Sequence, residues 1–157
     1  MTQLPPETAR GYDEPPSIQF SVFLANRIGQ LQELLILLAE EEIELLGISV
    51  VDSTDWAVIR VVLSDPDKAR EIFRRRHMPF TESAVTLVEL SGQDALSAIC
   101  GYLVRAELSV HFAYPLIIHR NENPVMVIHV DDPLLATQTL LRHGIRVLGE
   151  EDLFDCP

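Results

Sequence analysis

Residues 17–43 read SIQFSVFLANRIGQLQELLILLAEEEI, and the change of period within this stretch decides the fold. Ile18, Phe20, Val22 and Leu24 alternate with Gln19, Ser21 and Phe23, the pattern of a half-buried strand. After the short segment Ala25-Asn26-Arg27-Ile28-Gly29, the residues Leu31, Leu34, Leu35 and Leu38 fall at i, i+3, i+4 and i+7, one stripe of a helix. Glu40, Glu41 and Glu42 then crowd the C-terminal end, where the helix dipole disfavours negative charge. Toward the C-terminus, Ile43 to Val51 reads as a second strand and Asp52-Ser53-Thr54-Asp55 as a turn. Trp56 to Leu63, dense in β-branched residues, is a third strand. Asp65-Pro66 opens a second helix, an Asp N-cap before a proline at the first helical position. Ala69, Ile72 and Phe73 form its stripe, and Arg74, Arg75, Arg76 and His77 suit its C-terminal end. Thr81 to Leu90 completes the order βαββαβ as a fourth strand.

The order repeats. Gln93 to Glu107 is helical, Ser109 to Ile118 and Val125 to Val130 are strands, Asp132-Pro133 opens another helix, and Gly144 closes it before a short strand from Arg146 to Leu148. Leu31, Leu34, Leu35, Leu38 and Ile43 map onto Leu96, Ile99, Cys100, Leu103 and Leu108 at an offset of 65, and Asp65 maps onto Asp132 at 67. The segment from Thr81 to Leu90 therefore ends one copy and begins the next. The expected class is α+β: two ferredoxin-like βαββαβ units, each an antiparallel sheet with its helices on one face. The expected bounds are 17–85 and 86–154, behind an arm at 1–16 that carries Pro5, Pro6, Pro15 and Pro16 and no apolar periodicity.

Composition narrows the roles. The chain has 157 residues, with 12 Lys+Arg against 24 Asp+Glu and a net charge of −12. So acidic a surface repels phosphate backbones and anionic lipid heads, which argues against nucleic-acid and membrane partners. Two cysteines, Cys100 and Cys156, are too few for a disulfide framework or a four-ligand zinc site. No apolar run reaches the ~18 residues of a membrane span, and the opening segment is unlike a secretory leader. A cytoplasmic protein without a cofactor is the expectation.

Phe23 to Gly29 followed by Gln-Leu-Gln-Glu-Leu-Leu resembles the strand-loop-helix opening of ACT domains, whose usual wording is near E-N-R-P-G-x-L-x-x-L. Glu42-Ile43-Glu44-Leu45 is similar to that family's A-G-I-N-I segment, and Ile145 to Leu153 resembles the ending of tandem ACT proteins. The resemblance covers 17–153 and implies regulation: a non-catalytic sensor of a small effector, usually an amino acid, held at an interface between two units by the loop before the first helix. On this chain the family's positions fall on Asn26 and Gly29, with Arg27 and Ile28 between them, and on Glu44 at the second strand. Physical chemistry agrees. A helix N-terminus offers unpartnered N–H groups to a carboxylate, glycine permits close approach, and asparagine offers both donors and an acceptor. Ile28 departs from the usual proline. Glu44 stands where asparagine is common, a carboxylate that could attract an ammonium or repel a carboxylate. In the second copy Asp94 takes the place of Gly29, which favours a capping role there and an effector only at the first loop.

Several other residues invite a role. His111, His119 and His129 read as partly exposed sheet residues rather than metal ligands, and Cys100 as a small core hydrophobe. Trp56 and Tyr114 suit cross-strand packing or the lining of a pocket. The arginine run suits helix-end compensation better than anion binding, and Tyr102, off the main stripe, suits a contact between subunits. A homodimer and a partner enzyme are expected. The alternative is a ligand-free regulatory small subunit, similar in kind to that of acetolactate synthase, or a dimerising module. An enzyme on this fold would need a Gly-rich phosphate loop that Arg27-Ile28-Gly29 only faintly suggests.

Overall fold

The structure, a computed structural model, describes residues 17–25, 28–117 and 123–149. The expected arm lies outside these residues, as do Asn26, Arg27, His119 and Cys156. The chain divides into two compact units, one spanning Ile18–Ser83 and one running from Ala84 onward.

In the first unit the elements are β1 (Ser17–Ala25), α1 (Gln30–Glu40), β2 (Leu45–Asp52), β3 (Trp56–Leu63) and α2 (Pro66–Arg75), leading into β4 (Phe80–Glu89). β3 lies antiparallel between β1 and β2. The chain returns beside β1 at Pro79, whose carbonyl accepts the Phe23 N–H at 3.0 Å. Phe20, Val22 and Leu24 of β1 face Leu34 and Leu38 of α1 and Ala69, Ile72 and Phe73 of α2, so both helices share one core. Phe20, Phe73 and Phe80 pack as three rings with centroids 5.6–5.9 Å apart. Arg70 ties α2 to β4 by pairing with Glu82 and also meets Asp67, and its guanidinium holds the Glu82 carboxyl below the usual range.

The second unit takes the C-terminal part of β4 with α3 (Ala95–Arg105), β5 (Val110–Pro115), β6 (Val125–Val130), α4 (Pro133–Arg142) and β7 (Val147–Leu148). β4 is antiparallel to both β7 and β6, and β6 to β5, giving the order β7-β4-β6-β5. Its core gathers Val88, Ile99, Leu103, Ile128, Val130 and Leu140.

The repeat extends to individual bonds. Asp65 accepts the Lys68 N–H and Asp132 the Leu135 N–H, each at 3.1 Å. The N–H before the second strand donates to Ser64 Oγ in one copy (from Glu44) and to Asp131 Oδ2 in the other (from Ser109). All four described helices close alike, with a left-handed residue after the C-cap: Glu42, His77, Glu107 and Gly144. The following N–H reaches back to the helix, as from Ile43 to Leu38 and from Leu108 to Leu103. The acidic end of α1 is offset from outside: the Lys68 ammonium donates to the Glu41 carbonyl and Arg75 lies 3.6 Å from the Glu41 carboxylate.

Only Gly144 of the four closing residues is free of the Cβ penalty of the left-handed region, which is about 1–2 kcal/mol. Glu107 is exposed and far from any candidate site. Glu107→Gly is therefore expected to stabilise by about 0.5–1 kcal/mol after glycine's greater unfolded-state freedom is deducted. The urea midpoint should rise at unchanged slope; a fall would contradict the assignment.

Two expectations are corrected. Cys100 is exposed and Leu96 is 40% exposed, so the α3 stripe narrows to Ile99 and Leu103. β1 is buried on both faces, since Gln19 and Ser21 are covered as well as the apolar set. Tyr102 stacks on His143, with ring centroids 4.0 Å apart, within its own unit.

Candidate functional site

Between β1 and α1 the chain turns through Gly29, the α1 N-cap, at φ 89°. That left-handed conformation explains the glycine, because a Cβ there would meet no described atom within 4 Å and only the backbone angle penalises another residue. The Gly29 carbonyl accepts the Glu33 N–H at 2.9 Å, starting the helix. Glycine has no side chain to cap the first turn, so the N–H groups there keep their capacity for an acceptor. Ile28 is fully exposed.

Beside this turn lies an open groove of about 630 Å³. Phe23, Leu24 and Ala25 of β1 and Trp56 of β3 form its apolar part, with Trp56 half-exposed and paired across from Ala25. Gln30, Glu33, Leu37 and Glu40 of α1 form one wall, and Arg76, His77, Met78 and Pro79 form the other. Gln30 Nε2 donates to Glu33 Oε2 at 3.4 Å. The groove thus carries carboxylates on one side and a guanidinium on the other.

Of the residues singled out in the sequence, Gly29 and Ile28 stand at the α1 approach, while Asn26 and Arg27 lie outside the described residues. Glu44 is elsewhere. Ala25 pairs with Trp56 at one end of β3 and Leu45 with Leu63 at the other, so Glu44 sits a strand length away, roughly 23 Å at ~3.3 Å per residue. Glu44 and Gly29 are not brought together within one unit. Trp56 lines the groove, and Arg76 does so although its run was read as helix-end compensation. Gln30, Glu33, Glu40 and His77 escaped the sequence reading as site residues; the first three show a polar edge on α1 beside Leu34 and Leu37, and His77 reads only as part of the basic end of α2.

The second unit opens differently. Glu89 N–H donates to the Arg146 carbonyl at 2.9 Å, the counterpart of Phe23 to Pro79, so β4 matches β1 at an offset of 66 while α3 matches α1 at 65. The loop before α3 is one residue shorter. Gly92, not Asp94, carries the positive φ, and Asp94 occupies the N-cap position without a side-chain capping bond among the described residues. The capping role expected of Asp94 is thereby corrected: its backbone starts the helix, as the Ala98 N–H bonds to its carbonyl at 3.0 Å.

His111 pairs with Asp131, and His129 stacks on Phe112 at 4.8 Å. Tyr114 is buried against Phe112. No group of three or more potential metal ligands occurs among the described residues, and no described helix is long and apolar enough to cross a membrane.

A solved protein from Bacteroides thetaiotaomicron, BT0572, has a similar structure, with a TM-score of 0.80 and 26% identity over 88% of this chain and 96% of that one. The ligand-free regulatory subunit of aspartate kinase from Thermus thermophilus shares the fold, with a TM-score of 0.58 and 11% identity over 80% and 91% of the two chains. No protein of curated function matches the sequence. Residues 17–156 match the family described as an ACT domain pair. With four helices and antiparallel sheets among the described residues, in two βαββαβ units, the chain belongs to the ACT domain pair family.

Proposed function

We propose that the protein is a non-catalytic regulator that binds an amino acid at the α1 approach of its first unit, in a site completed where ACT-like units of two copies meet. The observation that carries this reading is the groove beside Gly29, whose walls suit a zwitterion. The first-turn N–H groups of α1 and the Arg76 guanidinium receive the carboxylate, Glu33 receives the ammonium, and Phe23 and Trp56 contact the side chain. A cytoplasmic location and a homodimer belong to the same reading. The output is a change in a partner enzyme, a role supported by the fold shared with an aspartate kinase regulatory subunit. A ligand moves such an equilibrium only through its different affinity for the two states.

The second reading, a ligand-free regulatory subunit or dimerising module, is favoured by Ile28, an isoleucine wholly exposed at the tip of the approach loop. Thermal unfolding against each of the twenty amino acids separates the two. At 100 times its dissociation constant a ligand stabilises by about 2.7 kcal/mol, or roughly 5–10 °C for a chain of this size. A selective shift is expected; a flat panel together with co-purification of an enzyme would favour the second reading.

A further inference from the structure

The groove of the first unit has a counterpart in the second, and its positions can be followed one by one. Phe23, Trp56 and Pro79, all lining residues, correspond to Glu89, Asn123 and Arg146 at the offsets that the strand bonds fix. Leu37 and Arg76, on opposite walls, correspond to Tyr102 and His143. In both sets the replacement side chains bind each other. Glu89, only 6% exposed, accepts from Asn123 Nδ2 at 2.7 Å through Oε1, and its Oε2 lies 3.2 Å from Arg146 Nη1. Tyr102 stacks on His143 at 4.0 Å with the rings 19° apart, and His143 Nδ1–H donates to the Thr139 carbonyl at 2.8 Å, which fixes the imidazole.

We propose that the Tyr102–His143 stack closes the counterpart groove on the helix side of the sheet with the protein's own side chains, so that the second unit is self-occupied and each chain takes a single effector. The Glu89 cluster, which the pleat turns to the opposite face, ties the strand ends together. The Tyr102–His143 stack fills the apolar gap between helix and loop, His143 standing where the first unit carries the Arg76 guanidinium. The first unit leaves the same two positions to Leu37 and Arg76, which enclose space instead of spanning it. The count of one effector per chain rests on the function proposed above; the closure of the second groove does not.

The test uses amide NMR spectra of the full chain with phenol as a small aromatic probe. Phenol is expected to shift Leu34, Met78 and the Trp56 indole and to leave Ile99 and Ile145 unmoved. In Tyr102→Leu, which restores the first unit's residue type at a half-buried surface position, shifts at Ile99 and Ile145 are expected to reach the size seen at Leu34 and Met78. Should that variant not fold, His143→Arg, at an exposed position and again the first unit's residue type, removes the stack and carries the same expectation. Wild-type shifts of equal size in both units, no shift in the first, or a second unit still silent in the folded variant would each overturn the proposal. Adding the amino acids singly to the same samples separates the two ideas. If none perturbs Leu34 or Met78 while phenol does so selectively, effector binding fails and the closure stands.

Discussion

Phe73→Ala is expected to cost about 3–5 kcal/mol, a large share of the roughly 5–15 kcal/mol by which folded domains are stable. Phe73 is fully buried where α2 meets the sheet, edge-on to Phe20 at 5.6 Å and tilted against Phe80 at 5.6 Å. Truncation removes the ring's transfer free energy and two aromatic contacts, and it leaves a cavity that Phe20, itself fully buried, cannot fill without leaving its own place. The second unit provides an internal comparison. Leu140 stands at the equivalent position there, 1% exposed, so a leucine fits the backbone. Phe73→Leu should therefore cost distinctly less, with the remainder reporting the lost ring contacts. Urea unfolding monitored by hydrogen exchange, unit by unit, would resolve both; a loss below about 2 kcal/mol for the alanine variant would mean that the three-ring cluster is not the keystone of the first unit.

The contrast between the two cores also shows what the sequence discloses and what it withholds. Element order, the paired Asp-Pro helix starts and the shared strand from Phe80 to Glu89 were legible because each rests on local chemistry that repeats. Burial was less legible. Periodicity places Cys100 on the same stripe as Leu103, but a helix on a small sheet buries a narrow band, and Cys100 falls outside it. The polar partners of the β1 alternation, Gln19 and Ser21, are covered too, because alternation records the chemistry of each face and not what lies over it. The candidate site was legible in half. The turn at Gly29 has a sequence signature because φ 89° asks for glycine, whereas Arg76 and His77 reach the groove from the end of a different helix. Their proximity to Glu33 depends on the topology of the whole unit. Glu44 shows the converse: adjacency to a family segment said nothing about which end of the sheet it occupies.

Gly29→Asp is expected to abolish the amino-acid-dependent thermal shift while leaving the first unit folded. A Cβ at this position meets open space, so the structural cost is the left-handed backbone alone, about 1–2 kcal/mol and least for Asp and Asn among the non-glycine residues. The effect on binding is larger. The new carboxylate stands at the α1 N-terminus, can take the first-turn N–H groups as a cap, and repels the effector's carboxylate from the place where it would bind. Gly29→Asn separates charge from backbone, since asparagine meets the same angle without the negative charge. The aspartate variant should lose the whole shift of roughly 5–10 °C expected at saturation, the asparagine variant only part of it, and both should melt close together without ligand. An undiminished shift in Gly29→Asp would remove the α1 approach from the site and move attention to the far wall, where Arg76 and His77 would have to hold the carboxylate by themselves.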